Sequence, residues 1–198
     1  KNIMYKDVAS WIKERKGDWM CTFTGKKYYP LEPEPEDVVI EDIAHALSMQ
    51  CRYGGHCGRF YSTAEHSYWL STKSKDPLKA LLHDSAEAYL CDIVRPLKHQ
   101  PEFEFYRKIE TLNETVIAKA FGLDSLTTEE IKDLDSRIIY DEATQLFNKL
   151  PDEWVIGKPI GVTISGFTPN VAEEVFLTRY RQLTYKTNDN NRTFKHRR

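Results

Sequence analysis

The chain has 198 residues and is short of several things. It has four cysteines, Cys21, Cys51, Cys57 and Cys91, and no two of them form a Cys-x-x-Cys. The four read as reduced thiols of a cytoplasmic protein. Cys51, His56 and Cys57 lack the spacing of a zinc knuckle, and no second Cys/His pair follows them. No apolar run approaches a membrane span, and nothing resembles a signal peptide, so no membrane partner is expected. Net charge is also scarce, at −2. This argues against a general surface for nucleic acid, and no stable nucleic-acid partner is expected. A small anionic ligand in a locally basic site is compatible with it. The Lys/Arg/His cluster within 192–198 reads as a solvated tail rather than a nucleic-acid contact. There is no internal repeat. The hydrophobic content, 40%, suffices for one well-formed core.

What the chain does have is helix punctuation. Residues 1–35 read as an extension: a weakly periodic helix over 4–16, then a small hairpin centred on Thr24-Gly25-Lys26. Pro30 to Pro35 is a connector that is neither helix nor central strand. Residues 36–185 read as one helical domain. Glu41-Asp42 load the first turn of a helix to about Tyr53, with Ile43, Ala44, Leu47 and Met49 available for burial. Ser62 and Glu65 form a capping box for a helix to about Ser71. Asp76-Pro77 start another that runs to about Leu90. Further helices are expected from Phe103 to Phe121, from the Thr127-Thr128 cap to about Leu150, and from Pro169 to about Thr184. Four Gly/Pro breaks make 151–168 a loop with room for one short strand. Residues 186–198 read as a flexible basic tail. The fold class expected is all-α, with a small β-hairpin appendage near the N-terminus.

Within that pattern one stretch stands out, Ala80-Leu81-Leu82-His83-Asp84-Ser85-Ala86-Glu87. A charged trio in a run of Leu and Ala is costly to bury unless it is paired or binds a metal. On a continuous helix Glu87, at i+4, shares the face of His83. His66 lies in the first turn of the helix capped by Ser62. Asp135 falls on or beside the apolar stripe of Ile131, Leu134, Ile138 and Leu146. Each group alone has an ordinary reading: His66 as a packed histidine, Asp135 as a partner of Arg137. Together, two imidazoles and two carboxylates suit a divalent metal with positions left open.

These residues carry a resemblance. Ala64-Glu65-His66-Ser67, Ala80-Leu81-Leu82-His83-Asp84, Glu87-Ala88, Pro96-Leu97-Lys98 and Leu134-Asp135 resemble, in order, the motifs of the HD-domain metal-dependent phosphohydrolases. The likeness covers roughly residues 40–150. It is closest to the bacterial 5′-deoxynucleotidases and related phage nucleotide hydrolases. In these an Arg-Trp pair precedes the first histidine, and Arg52-Tyr53 stands here in its place.

The resemblance implies an HD helical bundle and one divalent ion on His66, His83, Asp84 and Asp135. Whether the ion is manganese, cobalt, iron, nickel, magnesium or zinc stays open. It implies a catalytic Glu87, and an Asp92 that contacts substrate or leaving group; the alternative is that Asp92 caps its loop. It places Arg52 and Lys98 near phosphate. Arg95 lies close in sequence to the ligands. His56 and Arg59 are candidates on position alone, in a Gly-rich loop that also reads as a plain connection. Tyr53 or Phe60 either stacks on a base or packs in the core. The implied substrate is a small nucleotide, with phosphate released from 2′-deoxynucleoside 5′-monophosphates. The alternatives are dNTP hydrolysis to deoxynucleoside and triphosphate, and hydrolysis of a cyclic or signalling nucleotide. Relatives of this kind are often dimers or higher oligomers, and the helix from Phe103 to Phe121 is a candidate interface.

Overall fold

Ser62, Asp76 and Thr128 each cap the helix that follows them. The computed structural model describes residue 15 and residues 17–154 and 157–194. The helix expected over 4–16 falls almost wholly outside them. Met20–Cys21 (β1) pairs antiparallel with Lys27–Tyr28 (β2), Met20 opposite Tyr28. The turn between them uses Gly25 at φ +83°, a left-handed conformation that glycine adopts without strain. The rest is mostly helical. No helix among the described residues is long and apolar enough to cross a membrane.

Helix α1, Ile40–Met49, starts with Glu41 and Asp42 in its first turn. It buries Ile43, Ala44 and Leu47 but leaves Met49 exposed. It stops four residues before the expected Tyr53. The cause is a local ladder: Arg52 N–H donates to Tyr61 O, and Thr63 N–H to Gln50 O. Arg52 and Tyr53 therefore lie in a tight 3₁₀ turn, Arg52–Gly55, with Tyr53 itself left-handed at φ 57°. Helix α2, Thr63–Lys73, is capped by the Ser62 hydroxyl, which accepts from Glu65 N–H at 3.1 Å. The reciprocal half of the expected capping box is missing. The Glu65 carboxylate instead accepts the N–H groups of Ser165, Gly166 and Phe167 and the Trp69 indole N–H.

The helix expected from Pro77 to Leu90 is two pieces, α3 (Pro77–Leu82) and α4 (Glu87–Leu90). Between them the chain tightens. Ser85, Glu87, Ala88 and Tyr89 N–H groups each reach back three residues, to Leu82, Asp84, Ser85 and Ala86. Side chains three apart eclipse in that geometry. Glu87 thus stands over Asp84 rather than over His83.

Helix α5 is Arg95–Lys98 and α6 is Glu104–Ala120. Helix α7, Glu129–Leu146, is capped by Thr128 accepting from Ile131 N–H and ends four residues before Leu150. Helix α8, Pro169–Phe194, runs through 186–194, where a flexible tail was expected. Helices α1, α2 and α3 pack against α8, α2 against α3, and α7 against α2. One apolar cluster gathers Tyr28, Ile43, Leu47, Leu81, Leu82, Tyr89, Ile117 and Phe176. A second gathers Tyr61, Leu70, Ile131, Leu134, Ile138, Leu146, Val162 and Ile164. Burying each Leu or Ile contributes roughly 1.5–3 kcal/mol.

No strand occurs in 157–168. This irregular strap is held by side chains. Asp141 accepts Ile160, Gly161 and Val162 N–H, and Gln145 bridges Val162 O and Ile164 N–H.

Candidate metal centre

The second apolar cluster and the tight turn after α3 bring His66, His83, Asp84 and Asp135 together. The two imidazole Nε2 atoms lie 3.3 Å apart. His83 Nε2 is 3.1 Å from Asp84 Oδ1, and His66 Nε2 is 3.7 Å from Asp84 Oδ2. Asp135 Oδ1 is 3.1 Å from His66 Nε2 and 3.9 Å from His83 Nε2. Donors each about 2.1 Å from one tetrahedral or octahedral ion are about 3.0–3.5 Å apart, so these spacings are close to those an ion imposes. His66, His83 and Asp84 form a group that can hold a metal ion. Asp135 completes the ring from α7, with its side chain 43% exposed on the open side.

The other nitrogen of each ring decides the proton positions. His83 Nδ1 faces the Ala80 carbonyl at 2.9 Å, an acceptor only. His66 Nδ1 faces Glu142 Oε1 at 2.6 Å, also an acceptor. Each Nδ1 therefore carries its hydrogen. In the neutral rings both Nε2 lone pairs point into one space with two carboxylates. That is unfavourable with nothing positive between them, and it is a donor set that can hold a metal ion. Protons meet the same demand in part. Burial pushes the His83 pKa down, but Asp84 and Asp135 outweigh it and raise it well above the ordinary value. For His66, burial and Arg52 push down while Glu142 and Asp135 raise the result. Asp84 is opposed by burial but drawn down to about 2 by His83, and Asp135 falls further for the same kind of reason.

Around this ring the structure sorts the remaining candidates. Arg52 is close in: Nη1 is 3.4 Å from Asp84 Oδ2, and Nε is 3.6 Å from Glu142 Oε2. Burial lowers its pKa, yet Glu142 and Asp84 hold it firmly cationic. The Glu87 carboxyl is raised well above its usual range by burial first, then by Asp84 and Asp92. Asp92 is exposed in the loop after α4. That loop turns at Cys91, whose φ of 59° and ψ of 162° suit glycine, and the Tyr106 hydroxyl pins it by donating to Cys91 O at 2.6 Å. Lys98 is paired with Glu110 of α6 and also feels Glu87 and Asp92.

Four candidates stand otherwise. The Tyr53 hydroxyl donates to Glu142, and its ring packs edge-on against Phe147 at 5.1 Å, so its place is in the packing rather than on a base. Arg59 donates to Ile164 O at 2.9 Å beside Gly166, in an outer groove with Gln145 and Asn148. His56 is exposed, and its backbone N–H closes the tight turn on Tyr53 O. Arg95 is exposed at the start of α5.

Sequence reasoning missed Glu142 altogether. It is fully buried, and His66, Tyr53 and Tyr61 all donate to it. The available signal was spacing: it follows Asp135 by seven positions, two turns along the same face. Glu110 and Glu114 of α6, beside Lys98, also escaped notice. Burial and Glu110 raise the Glu114 carboxyl to about 7.

No family model matches the chain. Two bacterial proteins do resemble it over most of their length. The Uncharacterized protein YfdR of Escherichia coli K12 is 32% identical over 170 residues, 82% of this chain and 94% of that protein. The Uncharacterized protein RCAP_rcc00048 of Rhodobacter capsulatus is 30% identical over 168 residues, 76% of this chain and 85% of that protein. At this identity and coverage, the chain belongs to the same family as these two proteins.

Proposed function

We propose that the chain is a metal-dependent phosphohydrolase of the HD type, acting on nucleotides and releasing phosphate from 2′-deoxynucleoside 5′-monophosphates. The observation that carries the metal reading is the pair of Nε2 atoms 3.3 Å apart, each in a ring whose Nδ1 faces an acceptor. The deoxynucleotide comes from the motif resemblance. In this reading His66, His83, Asp84 and Asp135 hold one divalent ion. When bound there, the ion would supply positive charge toward the phosphoryl oxygens and would acidify a water toward neutral pH.

The chain's own residues do the rest. Arg52, fixed between Asp84 and Glu142, donates to a phosphoryl oxygen as charge builds there. Attack of water on phosphorus breaks the bond to the 5′ oxygen, and that oxygen needs a proton. Burial and Asp84 raise the Glu87 carboxyl above its usual range, and Glu87 stands one tight turn from Asp84, so it serves as the general acid. Phosphoryl transfer asks little more than such positioning and charge.

The monophosphate is favoured over the triphosphate by the cations at hand. Arg52 is already shared between two carboxylates and Lys98 is engaged by Glu110. Asp92 and Glu110, both near Lys98, oppose a long polyanion.

The deciding experiment incubates metal-replenished protein with dAMP, dATP and a cyclic nucleotide, and assays phosphate and triphosphate. Phosphate from dAMP, lost in Asp84→Ala, is expected. Triphosphate from dATP selects the second hydrolase reading. Turnover of none of the three, or turnover unchanged in Asp84→Ala, overturns the enzyme assignment.

A further inference from the structure

We propose that Glu142 is the positioning residue of the metal centre, setting the metal-binding tautomer of His66 and fixing Arg52 beside it through one carboxylate. The inference rests on the metal reading above and concerns a residue that none of the quoted motifs includes.

A fully buried carboxylate is costly unless its oxygens are matched by donors. At Glu142 the donors divide between the two oxygens. Oε1 accepts from His66 Nδ1 at 2.6 Å and from the Tyr61 hydroxyl at 2.9 Å. Oε2 accepts from the Tyr53 hydroxyl and stands in an ion pair 3.6 Å from Arg52 Nε, a buried atom with no hydrogen-bond partner among the described residues. Both tyrosine hydroxyls must donate, because an ionised carboxylate only accepts. Tyr61 is wholly buried, so Oε1 cannot swing away without stranding a hydroxyl.

The consequence for His66 is a choice of tautomer. With Nδ1–H held by Oε1, the lone pair sits on Nε2, directed at Asp84, Asp135 and the other imidazole. Without that acceptor, the proton moves freely to Nε2 and the ring loses the bond that fixes its rotation. Partners of this kind affect metal affinity about 10–100-fold. The consequence for Arg52 is registration. Its guanidinium is held from Glu142 on one side and from the metal-facing Asp84 on the other. The phosphate cation and a metal ligand are thereby set by opposite oxygens of the same group. Tyr53 adds the anchor: its left-handed backbone places its hydroxyl on Oε2.

The test titrates Co(II) into metal-free, full-length wild type and Glu142→Gln, followed by visible absorption and calorimetry. The glutamine keeps the volume but brings an amide donor that competes for Nδ1. Affinity 10–100-fold weaker in the variant, with unchanged circular dichroism, is expected. Affinities within threefold of each other overturn this inference and leave the metal reading standing. A wild type that binds no Co(II) overturns both. Should Glu142→Gln not fold, nitrogen NMR of histidine-labelled, Zn(II)-loaded wild type decides. Coordination of His66 through Nε2 with Nδ1 protonated supports the role, and coordination through Nδ1 overturns it.

Discussion

The Nε2 atoms of His66 and His83 stand 3.3 Å apart, each in a ring whose Nδ1 hydrogen is held by an oxygen on the far side. Two lone pairs cannot face each other so closely without a positive charge between them. A divalent ion should therefore stabilise the protein directly. At a free concentration one hundred times its Kd, the gain is about 2.7 kcal/mol. Thermal melts with Mn(II) and with EDTA measure it. Asp135→Ala should shrink the shift, and a wild-type Tm indifferent to several divalent ions would sink the metal centre.

Glu87 is the candidate for proton delivery, and Glu87→Gln keeps its shape while removing the transferable proton. We expect kcat on dAMP to fall about 10²–10⁴-fold with KM changed little. Co(II) affinity should stay at the wild-type level, because Glu87 is not among the ligand candidates. A variant that keeps wild-type kcat takes Glu87 out of the reaction.

Glu114 supplies a pH dependence of stability. Burial, with Glu110 nearby, raises its carboxyl from 4.5 to about 7. Between those values the folded chain holds a proton that the unfolded chain has lost. Raising pH through that window therefore destabilises the fold. A partly exposed group reduces the effect, to roughly 1–2 kcal/mol. Urea denaturation of Glu114→Gln should match wild type at pH 4.5 and exceed it at pH 8. Equal loss in both proteins across the window would assign the dependence elsewhere.

Glu65 ties the strap to α2. Glu65→Ala leaves the N–H groups of Ser165, Gly166 and Phe167 without their acceptor. Water reaches some of them, so the expected loss is about 2–4 kcal/mol. Glu129→Ala, which breaks an exposed pair with Lys132, should cost far less. Urea midpoints compare the two, and similar losses would mean that the strap is held otherwise.

Features that depend on near neighbours were legible in the sequence. Ser62, Asp76 and Thr128 each cap the helix they announce, because a cap needs only a side chain and an N–H two or three residues on. The hairpin around Gly25 follows from the same locality. The apolar stripe of Ile131, Leu134, Ile138 and Leu146 is buried as its period requires. The grouping of His66, His83, Asp84 and Asp135 was legible through their order in a motif.

Features that depend on distant partners were not legible. Arg59 looked like a phosphate contact until Ile164, 105 positions away, took its guanidinium. Tyr53 donates to a carboxylate 89 positions away. Glu65 satisfies its local cap only by its N–H, since its carboxylate has three stronger claims across the strap. Glu87 changed neighbour because the backbone after Leu82 tightens to three residues per turn, where a continuous helix was expected.

By itself the sequence determined the helical class, where the longer helices start, and which four residues carry nitrogen and carboxylate donors in order. Those follow from local hydrogen bonding and hydrophobic period. Only the tertiary structure decided which nitrogen of each ring faces the shared space, and that Glu142 backs His66 across 76 positions. A buried carboxylate takes its role from the donors that packing brings to it, and no local pattern names them.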